Sequence, residues 1–208
     1  MMSAKEQKTF DYFLACPVRG VTKKVNRFLS DLISVLESMD SKVYWPPRDT
    51  NQNDTVGLNI CYENEDGIKR SKDYWIFYNR SSMGSIFDTG AAFANEKEIH
   101  AINPYDLKYS PDTFEGFLFE YVHGKEHQSG FYKKMSEKLE EIKKGAMIIY
   151  EYKPDDIESV FILGMIFGLG KPIALKNREY LEGRRVPGRK SLENVAIALD
   201  DIYRTKLP

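Results

Sequence analysis

The chain has 208 residues, 42% hydrophobic and 29% charged, with 30 basic against 31 acidic side chains and a net charge of −1. That length suits one α/β domain with a full core, or a domain with an elaboration. The charge balance argues against a general attraction to nucleic acid or a membrane surface, and no apolar run is long enough to span a bilayer.

The first eight residues are polar and lack a signal-peptide core. Two cysteines, Cys16 and Cys61, make no disulfide framework, so a reducing cytoplasm is the expected compartment.

Phe10 to Cys16 is strand-like and ends in Pro17-Val18-Arg19-Gly20, a breaker pair around one cation. From Val21 to Met39 the apolar positions recur with helical spacing: Val25, Phe28, Leu29, Leu32, Val35 or Leu36, and Met39. Ser41 to Trp45 predicts a second short strand, stopped by Pro46-Pro47, and residues 48–54 are polar and irregular. A helix over about 56–72 leads into Tyr74-Trp75-Ile76-Phe77-Tyr78, an apolar run that reads as a buried parallel strand.

The most informative stretch follows: Ser81-Ser82-Met83-Gly84-Ser85-Ile86-Phe87-Asp88-Thr89-Gly90-Ala91-Ala92. It places small residues, hydroxyls and one carboxylate where a strand turns into a helix. Such a turn aims backbone N–H groups and the positive end of the helix dipole at whatever lies above it. Ser82 and Ser85 can hold a phosphate or sugar hydroxyl there, Asp88 is expected on the first helical turn, and Gly90 and Ala92 let the helix lie close to the sheet. By residue type alone, the stretch reads equally as a polar loop and a helix start with Asp88 as a dipole-favoured acid.

A helix through about Asn95 and a strand over Ile99–Ile102 come next. Residues 103–130 are broken up by Pro104, Pro111, Gly116, Gly124 and Gly130, and predict a lid or short helical insertion. A helix over 131–144, a strand over 146–150, a buried helix over 156–169 and a strand over 171–175 complete the alternation. Ser191 caps a final helix carrying Leu192, Val195, Leu199 and Ile202.

Alternating strands and helices predict a doubly wound, mostly parallel sheet of Rossmann or flavodoxin type. Residues 1–103 form the expected core, and 104–208 a helical insertion plus further α/β units completing the same sheet. Ligands on such sheets bind outside the carboxyl ends of the strands. The Pro17–Gly20 loop, the Pro47–Asn53 loop and the Ser82–Asp88 turn all fall there.

One internal similarity has a spacing of 74 residues. It relates Ile68-Lys69-Arg70 to Ile142-Lys143-Lys144, Phe87 to Phe161, Gly90 to Gly164, Lys97 to Lys171, Ile99 to Ile173 and Asn103 to Asn177. It reads either as a degenerate duplication or as what two ordinary parallel units show by chance. The second copy carries Ile162 in the position of Asp88.

Three segments in order carry a resemblance. They are Tyr12 through Gly20, then Asn64-Glu65-Asp66 ahead of Asp73-Tyr74-Trp75-Ile76, then Ser82 through Ala92. Together they resemble the nucleoside 2-deoxyribosyltransferase superfamily, which includes 2'-deoxynucleoside 5'-monophosphate N-hydrolases. The family's last motif, Ser-x-Gly-x-x-x-Glu-x-Gly-x-Ala, is matched with Asp in place of Glu, and the resemblance covers about residues 10–103.

The resemblance implies cleavage or exchange at the N-glycosidic bond of a nucleoside or nucleoside 5'-monophosphate. It places the nucleophilic or charge-stabilising carboxylate on Asp88 and its supporting acid on Glu65, preceded by Asn64. It assigns phosphate contacts to Ser82 and to the loop holding Arg19 and Gly20, with Gly84 and Ser85 in the same turn. It also implies a homodimer or larger, with a site completed by a neighbouring subunit, and no metal or organic cofactor. The two acids are exchanged in length relative to the family, Asp for Glu at 88 and Glu for Asp at 65. That exchange keeps a non-catalytic nucleotide sensor as the rival reading, beside an NAD-type glycohydrolase.

Carboxylates beside an anomeric carbon stabilise an oxocarbenium-like transition state or form a covalent sugar ester, and a second acid moves a proton. Tyr44 and Trp45 can stack on a base, and Asn51 and Gln52 can read its edge; sheet packing and a polar loop are the alternatives. His123 and His127, spaced i and i+4, lack a third zinc ligand, and Gly124 disfavours the helix they need. Arg184 through Lys190 is a basic loop, solvated or in contact with phosphate.

Overall fold

The computed structural model describes residues 9–18, 21–108, 110–122, 129–185 and 188–205. The apolar run at the start forms β1 (Phe10–Ala15). Its side chains alternate between two layers, because successive residues of a strand point to opposite faces. Phe13 and Ala15 enter the main core, while Leu14 and the following Cys16 pack with Leu29 and Ile33 of α1 (Lys23–Ser38) in a second core on the other face. Thr22 caps α1, its hydroxyl accepting from the Val25 N–H at 3.3 Å.

A two-residue strand, β2 (Val43–Tyr44), is followed by a short helix, α2 (Pro46–Asp49). The Pro pair that marks a strand stop thus also starts a helical turn, since Pro lacks an N–H that a first turn does not need. Then come α3 (Leu58–Lys69), β3 (Ser71–Ile76), α4 (Met83–Ala94) and β4 (Glu98–Ala101). The strand expected to run to Tyr78 stops at Ile76, and α4 begins at Met83. The four strands form one sheet in the order β2-β1-β3-β4, every pair parallel. The doubly wound α/β expectation holds.

Residues 104–145 hold a 3-10 turn at Pro104–Asp106, α5 (Phe114–Val122) and α6 (Gly130–Lys144). After them come β5 (Ile148–Tyr150), α7 (Ile157–Gly168), β6 (Ile173–Leu175), α8 (Arg178–Arg184) and α9 (Leu192–Arg204). The expectation that the C-terminal strands complete the same sheet fails. Among the described residues β5 and β6 pair with each other in a separate parallel sheet. The two sheets are joined through helices, because α4 and α7 bury their apolar surfaces against each other in one continuous core.

The 74-residue spacing is a structural repeat. The pairing of Tyr74 with Ile99, Trp75 with His100 and Ile76 with Ala101 recurs as Ile148 with Ile173, Ile149 with Ala174 and Tyr150 with Leu175. Lys97 Nζ donates to the carbonyls of Lys69 and Ser71, and Lys171 Nζ to those of Lys143 and Gly145. The Asn103 amide exchanges two hydrogen bonds with the Tyr78 backbone, and Asn177 does the same with Tyr152. Glu96 and Gly170, at equivalent helix ends, both adopt positive φ, 57° and 61°.

The two copies meet reciprocally. A Cβ on Gly90 would lie 2.1 Å from the Phe161 carbonyl oxygen, and one on Gly164 would lie 2.0 Å from that of Phe87. Swapped equivalent contacts of this kind define a two-fold relation, here within one chain. α4 and α7 cross with their backbones touching, which only residues without side chains permit.

Candidate active site

A cleft of about 420 Å³ opens beyond the C-terminal ends of β1, β2, β3 and β5. This is the edge where ligands of parallel sheets bind, and the volume lies in the range of small-molecule sites. The first half supplies Cys16, Gln52, Cys61, Asn64, Asp88 and the start of α4 from Ser82 to Ser85. The second half supplies Tyr152, Pro154, Asp155 and the segment from Arg189 to Glu193 that leads into α9.

Asp88 is the sixth residue of α4, on its second turn rather than the first, because the helix starts at Met83. Its side chain is buried, and Asn64 Nδ2 donates to its Oδ2 at 3.1 Å. The Asn64 amide is itself oriented. Thr50 Oγ1 donates to Asn64 Oδ1 at 2.7 Å, which leaves Nδ2 for the carboxylate. The Tyr44 hydroxyl lies 2.9 Å from Thr50 Oγ1 and donates to the Glu63 carbonyl at 3.2 Å, fixing the far end of this polar chain. Burial pushes the Asp88 carboxyl up to about 7, against the opposing pull of the Asn64 hydrogen bond. A carboxyl poised there is ionised by small changes around neutrality, which suits acid–base or nucleophilic work.

The start of α4 adds hydroxyls. Ser82 Oγ and Ser85 Oγ are 2.8 Å apart, and Ser82 is the N-cap residue without a side-chain cap bond. A Cβ on Gly84 would meet no atom within 4 Å, so the cleft is open above it. Ser82, Gly84, Ser85, Asn64 and Asp88 are therefore brought together as expected.

Other expected residues are not. Glu65 does not line the cleft; it sits on α3 and pairs with Lys69 one turn on. Consecutive helical residues point about 100° apart, so Asn64 and Glu65 cannot both face Asp88, and the buried Asn64 holds that place. The Asp88–Glu65 pair is not assembled. Trp45 falls on the α1 face of the sheet, where its indole donates to Cys16 Sγ at 3.3 Å, and it does not line the cleft. Tyr44 is buried and stacked on Phe13. Asn51 is exposed and outside the cleft; its N–H donates to Glu63 Oε2 at 2.7 Å and its Oδ1 accepts from Asn53. Arg19, Gly20, His123 and His127 lie outside the described residues.

Sequence reasoning missed Thr50, Tyr152 and Glu193. Thr50 sits inside a polar run whose composition hides the one buried hydroxyl. Tyr152 was legible through the repeat, since it is offset by 74 from Tyr78. Arg189 and Lys190, read as a basic loop, reach the cleft, and Lys190 Nζ donates to the Gln52 carbonyl.

Both cysteines of the cleft are buried free thiols, and burial pushes each pKa up, which disfavours the thiolate. Among the described residues, Asp73, Glu98 and His100 place metal-ligand atoms within 4.8 Å of one another, on β3 and β4 outside the cleft. Among the described residues no helix is long and apolar enough to cross a membrane. Compared with family models, with curated proteins and with solved structures, the chain matches none.

Proposed function

We propose that this cleft cleaves or exchanges the N-glycosidic bond of a nucleoside or nucleoside 5'-monophosphate, with Asp88 as the reacting carboxylate. One observation carries the reading: a buried carboxyl, raised to about 7 and oriented by an amide donor, faces a nucleotide-sized cleft at the ligand-binding edge of a parallel sheet. As the base leaves with the glycosidic electron pair, positive charge develops at the anomeric carbon. Ionised Asp88 stabilises that charge or bonds to the carbon. Water then completes a hydrolysis, or a second base a transfer. Asn64 holds the carboxylate oxygen in place.

Ser82, Ser85 and the N-terminus of α4 suit the 5'-phosphate. Glu65 has no part in this scheme. Glu193, on the opposite wall and without an ion pair among the described residues, is the carboxyl available to move a proton to the departing base. The chemistry needs no metal or organic cofactor. Residues of the second half line the cleft together with those of the first, so on this reading one chain supplies residues to both walls, whether or not it forms a homodimer or larger. A reducing cytoplasm suits the two free thiols.

The absence of Glu65 from the cleft favours one other reading, a nucleotide sensor without turnover. Base release separates the two. Nucleosides, nucleoside 5'-monophosphates and NAD are incubated with wild type and Asp88→Ala, with and without an acceptor base. Release from one substrate class, lost in the variant, supports the glycosidase, and dependence on the acceptor makes it a transferase. Saturable binding of a nucleotide with no release from any compound supports the sensor.

A further inference from the structure

The internal two-fold relation implies a second cleft, at the positions 74 residues from those of the first. There Ile162 stands in the place of Asp88, Met135 in that of Cys61 and Tyr78 in that of Tyr152. The start of α5 occupies that place. Phe114 packs its ring 5.6 Å from Tyr78 and 5.8 Å from both Phe131 and Phe161, and the Tyr78 hydroxyl donates to Glu115 Oε1 at 2.5 Å. The mate site is filled by the chain itself, and its tyrosine is satisfied by a carboxylate.

In the open cleft the equivalent tyrosine has no such group. Tyr152 is fully buried and lines the cleft, and its hydroxyl has no hydrogen-bond partner among the described residues. Its backbone N–H and carbonyl are both bonded to the Asn177 amide, at 3.1 and 2.7 Å, which fixes the main chain from which the ring projects. An unpartnered buried hydroxyl costs stability in the free protein and is recovered only when something bonds to it. Arg189 and the N-terminus of α4 border the same cleft and favour negative charge, while Glu193 in the first turn of α9 and Asp155 line it too and act against it.

We infer that the Tyr152 hydroxyl is a ligand contact supplied by the second repeat: it donates to an anionic oxygen of the bound molecule, as the Tyr78 hydroxyl donates to the Glu115 carboxylate in the filled mate. On the nucleotide reading given above, on which this assignment of the oxygen rests, that group is the 5'-phosphate. The second repeat then adds a phosphate contact to those that Ser82, Ser85 and the start of α4 offer beside the reacting carboxylate in the first.

The test is isothermal titration of wild type, Tyr152→Phe and Tyr78→Phe with a 2'-deoxynucleoside 5'-monophosphate, the matching nucleoside and inorganic phosphate. Tyr152→Phe is expected to weaken monophosphate and phosphate binding roughly tenfold and to leave nucleoside binding unchanged. Its melting temperature without ligand stays equal to wild type or rises, because an unsatisfied group is removed. Tyr78→Phe shows the reverse, a lowered melting temperature with binding unchanged.

Monophosphate binding by Tyr152→Phe as tight as wild type overturns the inference. So does a fall in its melting temperature, or failure of wild type to bind any of the three probes. Base release is followed on the same samples. The expected binding pattern without release removes the glycosidase reading and leaves the Tyr152 contact standing. Release with unchanged binding in Tyr152→Phe does the opposite.

Discussion

Asp88, the proposed reacting carboxylate, also carries a cost. Its carboxyl titrates near 7 in the fold and at 3.8 when unperturbed, so the native state holds its proton more tightly than the unfolded chain does. Stability is therefore lost as pH rises from about 4 to about 7, and the full penalty, on the order of 4 kcal/mol, stands above that window. Asp88→Asn removes the charge and is expected to stabilise the protein much more at pH 8.5 than at pH 4. Urea melts at the two values check this, and equal gains at both would contradict it. Asn64 is the group that holds the pKa down. Replacing it by Leu is expected to move the acid limb of kcat/KM for base release above pH 7, and a limb that stays in place would remove Asn64 from that role. Gly84→Ala should leave stability unchanged or raised by up to about 1 kcal/mol, since it is a helical glycine with free space around it. The new methyl projects into the cleft, so ligand binding should weaken; unchanged binding would move the ligand away from the start of α4.

At the scale of elements, the molecule depends on how closely α4 and α7 approach. Alanine in place of an ordinary helical glycine stabilises by about 1 kcal/mol. At Gly90 or Gly164 the added carbon meets a backbone carbonyl of the facing helix. Each Gly→Ala substitution is expected to destabilise by about 2–3 kcal/mol, and the double variant to cost less than the two together, because both act on one contact. Thermal melts measure this, and stabilisation by either single substitution would contradict the packing.

The long helices and their order were legible, α1 and α6 from their apolar periodicity and α7 from a continuous apolar run that suits a fully buried helix, whereas the short α2 and α8 carried no such signal. The strand ends and the start of α4 were not, since the local signal there is a polar turn that suits several helix starts. Glu65 was misread for a related reason. A short motif shows that two polar residues are neighbours, but only the orientation of α3 decides that Asn64 faces inward.

For the whole molecule, the repeat explains an asymmetry. Two equivalent units meet about a two-fold relation, yet of the two equivalent positions one is an open cleft with Asp88 at its centre, while Phe114 and Glu115 pack against Tyr78 at the other, where Ile162 replaces the acid. The spacing of 74 was visible in the sequence, but single identities cannot separate descent from coincidence. Matching strand registers, lysine bridges and asparagine clasps can, because each is a three-dimensional contact repeated at the same offset. How Phe114 and Glu115 fill the mate site was hidden, since they gain meaning only from what they touch. Because both walls of the cleft belong to one chain, turnover per chain is expected to stay constant on dilution to nanomolar protein. A specific activity that falls with dilution would show that a second copy completes the site.

The most direct measurement is free-base release from a nucleoside 5'-monophosphate panel at pH 8 by wild type and Asp88→Asn, each first shown by melting to be folded. The account predicts release by wild type and a loss of roughly 10³-fold or more in the variant, even though the variant is the more stable protein. Equal release by both, or release by neither, would contradict the assignment of Asp88 as the reacting carboxylate of an N-glycosidase.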